Sequence, residues 1–278
     1  MRLRAEAATR DAALYAVERM RFALCVDHDL APFHRRFKDD RLLGPIIRRR
    51  PWIRPTRHGD PFQALAWAIT EQLIEVERAE AIQRRLVWRF GRRRDGWPLK
   101  DRPPSGAHGN RQTPGTPPDR GSPAALRDAP APGALAARSP AELEACDLTA
   151  ARALAIIRAA HEVASGRVDL LARDRATIEA GWRRLRSLPT IGLWTIEKLA
   201  YHGQGLDDEL PAGDLAYLKL VGRLERLDRR ASVEEVREFL APYAPFRALA
   251  GTYLSMSHGF PAALSVAGHS SSRRWHQP

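Results

Sequence analysis

Residues 188–220 read LPTIGLWTIEKLAYHGQGLDDELPAGDLAYLKL and hold most of the groups in this chain that could do chemistry. Asp214 follows Gly213 and precedes an apolar run, the place of a helix N-cap, where a side-chain oxygen accepts from the first free N–H groups. A helix N-terminus favours an anion, so capping would keep Asp214 ionised. Upstream, Pro189-Thr190-Ile191-Gly192 reads as a tight turn between two helices. Pro189 fixes the exit of the first, and Gly192 is expected to supply a backbone angle denied to other residues. The N–H groups that open the second helix make an anion site without any side chain. Phosphate contacts of that kind position a protein on DNA without reading sequence, although an ordinary αα-hairpin would carry the same four residues. Lys198 lies one turn beyond Trp194 and shares its face.

The rest of the composition favours an anionic partner. The 278 residues carry 45 Lys and Arg against 33 acids, a net charge of +12 and a pI near 10.6. Most of the excess is Arg, whose planar fork donates two parallel hydrogen bonds to one phosphate. Nucleic acid is therefore the first partner to consider, ahead of an anionic membrane surface. Cys25 and Cys146 are too few for an iron–sulfur cluster and lie outside metal-ligand spacing, as do His161, His202 and His258. No apolar run approaches a membrane span, and the N-terminal residues lack the apolar core of a signal peptide, so the expected setting is the cytosol. Nothing in the sequence signals oligomerisation, and the expectation is a monomer without a cofactor.

The elements that must position these groups are helices. Residues 10–28 carry Ala13, Leu14, Val17 and Met20 at helical spacing; Leu42, Leu43, Ile46 and Ile47 form a short amphipathic helix; residues 60–92 read as two helices, the first opened by Asp60-Pro61. From Trp97 to about Ala124 the chain is Pro, Gly, Ser and charge, which reads as a disordered insertion. Helices resume after it. Ser139 and Glu142 have capping-box spacing, Gly166 ends the following helix, and two last helices surround Pro242 and Pro245. No window sustains period-two alternation, so the chain is expected to be all-α. Asp207, Asp208 and Glu209 read as a solvated loop.

The hairpin, the Gly/Pro-rich loop and Asp214 together resemble the helix-hairpin-helix DNA glycosylases. GDPFQALAWAITEQL is similar to that family's helix ahead of its strand-invading residue. DRLLGPIIRRRPWIRPTRHGDPF and ARSPAELEACDLTAARALAIIRAAHEVASGRVDL resemble the segments that lead into the core and to the hairpin. The resemblance covers about residues 25–255 without the insertion and is nearest the DNA-3-methyladenine glycosylase II branch. It implies two helical subdomains flanking a cleft, without a complete N-terminal sheet domain. The divisions it implies are an N-terminal helical extension (1–24), a first part of the core (25–96), the insertion (97–124), a second part carrying the hairpin at about 177–203 (125–256), and a tail (257–278).

The resemblance also assigns roles. It makes Asp214 the carboxylate that stabilises an oxocarbenium-like sugar and orients or deprotonates water when a base is cut from DNA. Lyase-competent members carry a Lys where Trp194 stands, so hydrolysis alone is implied, with Trp194 a wall of the base pocket. Trp67, Tyr243 and Lys198 join that pocket. Phe246 is a further aromatic there, and such faces suit positively charged methylpurines. The family often has an aromatic at the position of Lys198 and Gly at that of Thr190. Gln72 and Leu73 match the wedge that fills the space left by a flipped nucleotide, although a core Leu on an amphipathic helix fits the same spacing. Glu71 and Glu75 are expected to point away. Pro189, Thr190, Ile191, Gly192 and Thr195 would meet the DNA backbone, with no metal held by side chains and a monovalent cation allowed at the hairpin carbonyls. The implied activity is removal of alkylated purines from duplex DNA. The alternatives are uracil or deaminated bases, or a DNA-binding protein without catalysis.

Overall fold

The computed structural model describes residues 2–92 and 127–258. The Pro/Gly-rich segment 97–124 and residues 259–278 of the tail lie outside them. Among the described residues the fold is helical, without an extended strand. Asp60 caps α4 (Pro61–Glu71) by accepting from Phe62 N at 2.8 Å, with Pro61 in its first turn. Glu142 accepts from Ser139 N at 2.9 Å at the start of a short helix over Pro140–Glu144. Gly166, at φ +73°, follows the helix Ala150–Ala164.

Two cores form. The first gathers Leu65 and Ile69 of α4, Ile82 and Leu86 of α5 (Val76–Phe90), Leu135 and Leu143 of α6 (Pro132–Ala136) and α7 (Pro140–Glu144), Ala153 and Ile156 of α8 (Ala150–Ala164), Leu185 of α9 (Arg175–Arg186) and Ile196 of α10 (Leu193–Lys198). The second gathers Phe33 of α2 (Ala31–Phe37), Leu43 and Ile47 of α3 (Leu43–Arg49), Tyr217 and Leu220 of α11 (Leu215–Leu224), Val236 of α12 (Val233–Leu240) and Tyr253 of α13 (Arg247–Ser257). Each fully buried Leu or Phe contributes about 1.5–3 kcal/mol. A π-helical turn, Leu199–Gln204, extends α10 and sends Tyr201 into the second core. Such turns recur where a helix is bent to serve a site.

Close helix packing sets the site. A Cβ on Gly203 would lie 2.9 Å from Ala64 Cβ and 3.1 Å from Pro61 Cα. Glycine there lets α4 lie hard against the π turn, which brings the C-terminal end of α4 to α10.

The N-terminal helix α1 (Arg10–Ala23) departs from expectation. It ends five residues earlier than its spacing suggested, before Cys25 at φ +51°, and buries none of its residues. Leu14 and Met20 are half exposed.

Candidate active site and nucleic-acid interface

A cleft of about 1410 Å³ opens between the end of α4, α5, the start of α8, the α9–α10 turn and the start of α11. Glu71, Gln72, Leu73, Thr190, Gly192, Trp194, Thr195 and Asp214 all line it. Asp214 caps α11, its Oδ1 accepting from Ala216 N at 3.0 Å. Its other oxygen, Oδ2, lies 3.6 Å from the ammonium of Lys198. Trp194 stands beside it with its ring against Gly213, where a Cβ would come within 3.4 Å of Trp194 Cδ1.

Lys198 does not reach out to solvent. Its side chain is buried beneath the cleft floor, 3.0 Å from Glu71 Oε2 and 5.4 Å from the centroid of the Trp194 ring. Burial alone would strip its charge, but the Glu71 and Asp214 carboxylates outweigh it and raise its pKa above the usual lysine value. Glu71, expected to turn away, thus faces inward, and its Oε1 accepts from Gln83 Nε2 at 3.2 Å. Behind the ammonium, Thr56, His58, Trp67, Glu71, Lys198 and His202 bound a cavity of about 10 Å³. Burial and the Lys198 charge push His58 down to about 4 and His202 well below the usual histidine value. His202 donates from Nδ1 to Thr56 O at 2.7 Å, as a neutral imidazole does.

On the opposite wall α4 stops at Glu71, and the chain turns through Gln72 (ψ 121°) and Leu73 (φ +53°). Leu73 is 101% exposed, so it is not a core residue. Gln72 Nε2 donates to Thr190 O at 2.9 Å and to Thr195 Oγ1 at 3.0 Å, tying this turn to the hairpin. Arg152 donates from Nη2 to Gln72 O. Arg78, Arg152, Lys219 and Arg230 line the cleft together with Glu77, Glu80 and Glu75, the last expected to turn away, and Arg78 is paired to Asp147 at 3.1 Å.

Several expectations need correction. Tyr243 lies in the second core, packed on Phe37 and donating to Asp40 Oδ1 at 3.5 Å, away from the cleft. Phe246 packs edge-on against Phe33 in that core as well. Trp67, 4% exposed on α4, reaches the small rear cavity rather than the cleft. α4 is apolar on several faces, and Tyr243 and Phe246 lie in the turn before α13, so an aromatic at either place fits core and pocket equally from spacing alone. Ile191 is buried in the first core and offers only backbone to a ligand, while Pro189 is exposed at the turn. Gly192 has φ −90°, an ordinary extended value, and a Cβ there would meet nothing within 4 Å. The left-handed position is Thr190, at φ +71°, where a glycine would sit without strain. The acids after the π turn are tethered, not solvated. Asp207 accepts from Arg57 at 2.9 Å, Asp208 from Arg247 at 2.6 Å and Glu209 from Arg175 at 2.9 Å.

The Leu188 and Thr190 carbonyls accept from Ile191 N and Gln72 Nε2, one bond each, which leaves each oxygen a second lone pair. Among the described residues no His, Cys, Asp and Glu cluster fits a metal ion, and no helix is long and apolar enough to cross a membrane.

The whole architecture has counterparts. A solved 3-methyladenine DNA glycosylase of Archaeoglobus fulgidus superposes with a TM-score of 0.66 at 20% identity, over 94% of this chain and 79% of that one. The chain has the fold of the helix-hairpin-helix DNA glycosylases. An 8-oxoguanine glycosylase/lyase of Clostridium acetobutylicum in complex with DNA shares this glycosylase fold, with a TM-score of 0.62 at 15% identity over 86% and 73% of the two chains. In sequence the chain is 22% identical over 229 residues to the DNA-3-methyladenine glycosylase of Bacillus subtilis, covering 82% of this chain and 67% of that protein. No family model matches the chain.

Sequence reasoning missed Glu71 and Arg152 as parts of this site. Arg152 carries no signal among so many arginines. Glu71 had one, since it directly precedes the Gln72-Leu73 pair at the end of α4.

Proposed function

We propose that this protein is a monofunctional DNA glycosylase of base-excision repair that flips alkylated purines out of duplex DNA and hydrolyses their glycosidic bonds. The observation that carries the reading is the Asp214 carboxylate at the cleft, capped on α11 and braced by Lys198, opposite the fully exposed Leu73. The DNA backbone meets the basic residues at the cleft, Arg78, Arg152, Lys219 and Arg230, and Leu73 enters the stack as the nucleotide leaves it. The extruded base lies against Trp194. As the bond to C1′ stretches, positive charge grows on the sugar and Asp214 stabilises it, then orients water toward the same carbon. Cationic purines are good leaving groups and need no strong acid. The names of the Bacillus and Archaeoglobus proteins support the choice of 3-methyladenine-type substrates.

A lyase step needs a neutral amine at C1′. Trp194 offers none, and Lys198 is held as ammonium by two carboxylates. Hydrolysis alone therefore leaves an abasic site with an intact strand. The test is base release from methylated duplex DNA. Wild type is expected to release 3-methyladenine and 7-methylguanine, and Asp214→Asn to lose about 100- to 1000-fold in rate. Borohydride should trap no protein–DNA adduct. Release of uracil or hypoxanthine alone would move the substrate to deaminated bases, and binding without any release would leave a non-catalytic DNA-binding protein.

A further inference from the structure

The trio beneath the cleft contains one charge too many for a simple ion pair. Lys198 Nζ stands 3.0 Å from Glu71 Oε2 and 3.6 Å from Asp214 Oδ2, so the two carboxylate oxygens lie at most 6.6 Å apart, the sum of those distances. All three side chains are largely withdrawn from water, at 7%, 14% and 12% exposure for Lys198, Glu71 and Asp214. Lys198 with Asp214 alone would be neutral. Glu71 makes the unit net negative.

We propose that Glu71 is a specificity-determining residue, giving the cleft floor a single net negative charge that selects cationic groups over neutral ones of the same shape, while Lys198 positions Asp214 and prevents the two carboxylates from repelling each other. The neighbours leave that charge standing. His58 and His202, behind Lys198, are neutral near pH 7 because burial and the ammonium oppose their protonation. Tyr217, next to Asp214 on α11, keeps its proton because it is buried. Trp194 is uncharged, and the other charged residues lining the cleft, outside the trio, are Arg78, Arg152, Lys219 and Arg230 with Glu75, Glu77 and Glu80 of α5 and its N-cap. The floor thus offers its net negative charge to a cationic base or sugar, while the arginines and lysine at the cleft, set among Glu75, Glu77 and Glu80, are the groups open to phosphates. In a poorly hydrated pocket a unit charge a few ångströms away changes affinity by on the order of tenfold or more.

The inference rests on the glycosylase reading for the identity of the occupant, but its test needs no base release. Duplex DNA carrying a cationic pyrrolidine abasic analogue is compared in Kd with duplex carrying the neutral tetrahydrofuran analogue, at pH 8, alongside excision of 7-methylguanine and hypoxanthine. Wild type should prefer the cationic analogue, and Glu71→Gln, which removes the charge and keeps the shape, should lower that preference about tenfold. Lys198→Met, leaving two unneutralised carboxylates, should raise it. The double variant has the single charge of Asp214 again and should return to within about threefold of wild type, which a merely structural role for Glu71 does not produce. An unchanged preference in Glu71→Gln, or no recovery in the double variant, overturns the proposal. Where Glu71→Gln fails to fold, Lys198→Met decides by the opposite sign of its effect. A wild type that prefers the cationic analogue yet releases no base would support this inference and refute the glycosylase reading. A wild type with no preference would overturn the inference whatever it excises.

Discussion

Acidification should weaken this protein through His58. That side chain lies behind Lys198, where burial and the ammonium bring its pKa from 6.5 to about 4. The unfolded chain takes up a proton near pH 6.5 and the folded chain resists it, so the stability at stake is complete above 6.5 and lost as pH falls toward 4. At pH 5 the loss is about 2 kcal/mol, and it approaches about 3 kcal/mol below the folded value. His202, buried beside it and also depressed, adds to the same trend. His58→Gln removes one of the two titrations. Thermal melts of wild type and variant at pH 7.5 and pH 5 should differ in their acid shifts, with wild type losing roughly 4–8 °C more than the variant, given about 2–4 °C per kcal/mol for a chain of this size. Two melting curves that fall in parallel would refute the argument, because they would mean that His58 gains its proton as readily in the folded protein as in the unfolded one.

Three further outcomes follow from other residues. Leu73→Ala should slow excision from duplex DNA about 5- to 30-fold while leaving the melting temperature within about 1 °C, since a fully exposed side chain packs on nothing; a large loss of stability would show that Leu73 is core. Gly203→Ala should cost about 1–3 kcal/mol in urea unfolding, because its Cβ would fall 2.9 Å from Ala64 Cβ. Glu197 is buried, and desolvation raises its pKa even though Arg237 donates to it at 2.6 Å. The folded state thus holds its proton more tightly, and stability falls as pH rises through that value. Glu197→Gln should raise the melting temperature at pH 7 and leave it unchanged at pH 4.

What the sequence revealed was mostly local. Asp60-Pro61, Ser139 with Glu142, and Gly166 fix helix ends through atoms a few residues apart, and each end lies where spacing placed it. The hairpin turn and the capping place of Asp214 were legible in the residues, while their roles and the fold came by resemblance, where periodicity gave only helices. Three-dimensional partnerships stayed hidden. Glu71 and Lys198 meet because Gly203 lets α4 approach the π turn, a contact without local signature. The acids at 207–209 looked solvated because their arginine partners come from three distant segments. Trp67 lies mid-way along α4, which is apolar on several faces, and Tyr243 in the turn before α13, so spacing at neither place separates an aromatic that meets a core from one that meets a ligand. At the turn, glycine drew attention to 192 while the left-handed backbone falls at Thr190.

The buried trio of Glu71, Lys198 and Asp214 also constrains how this lineage changes. Replacing the lysine alone strands two carboxylates out of water, and replacing the glutamate alone neutralises the floor, so single steps at either position are penalised while the pair can be lost together. Positions 71 and 198 should therefore covary across relatives, acid with lysine or neutral with neutral, and the charge state of this pocket becomes an inherited two-residue character.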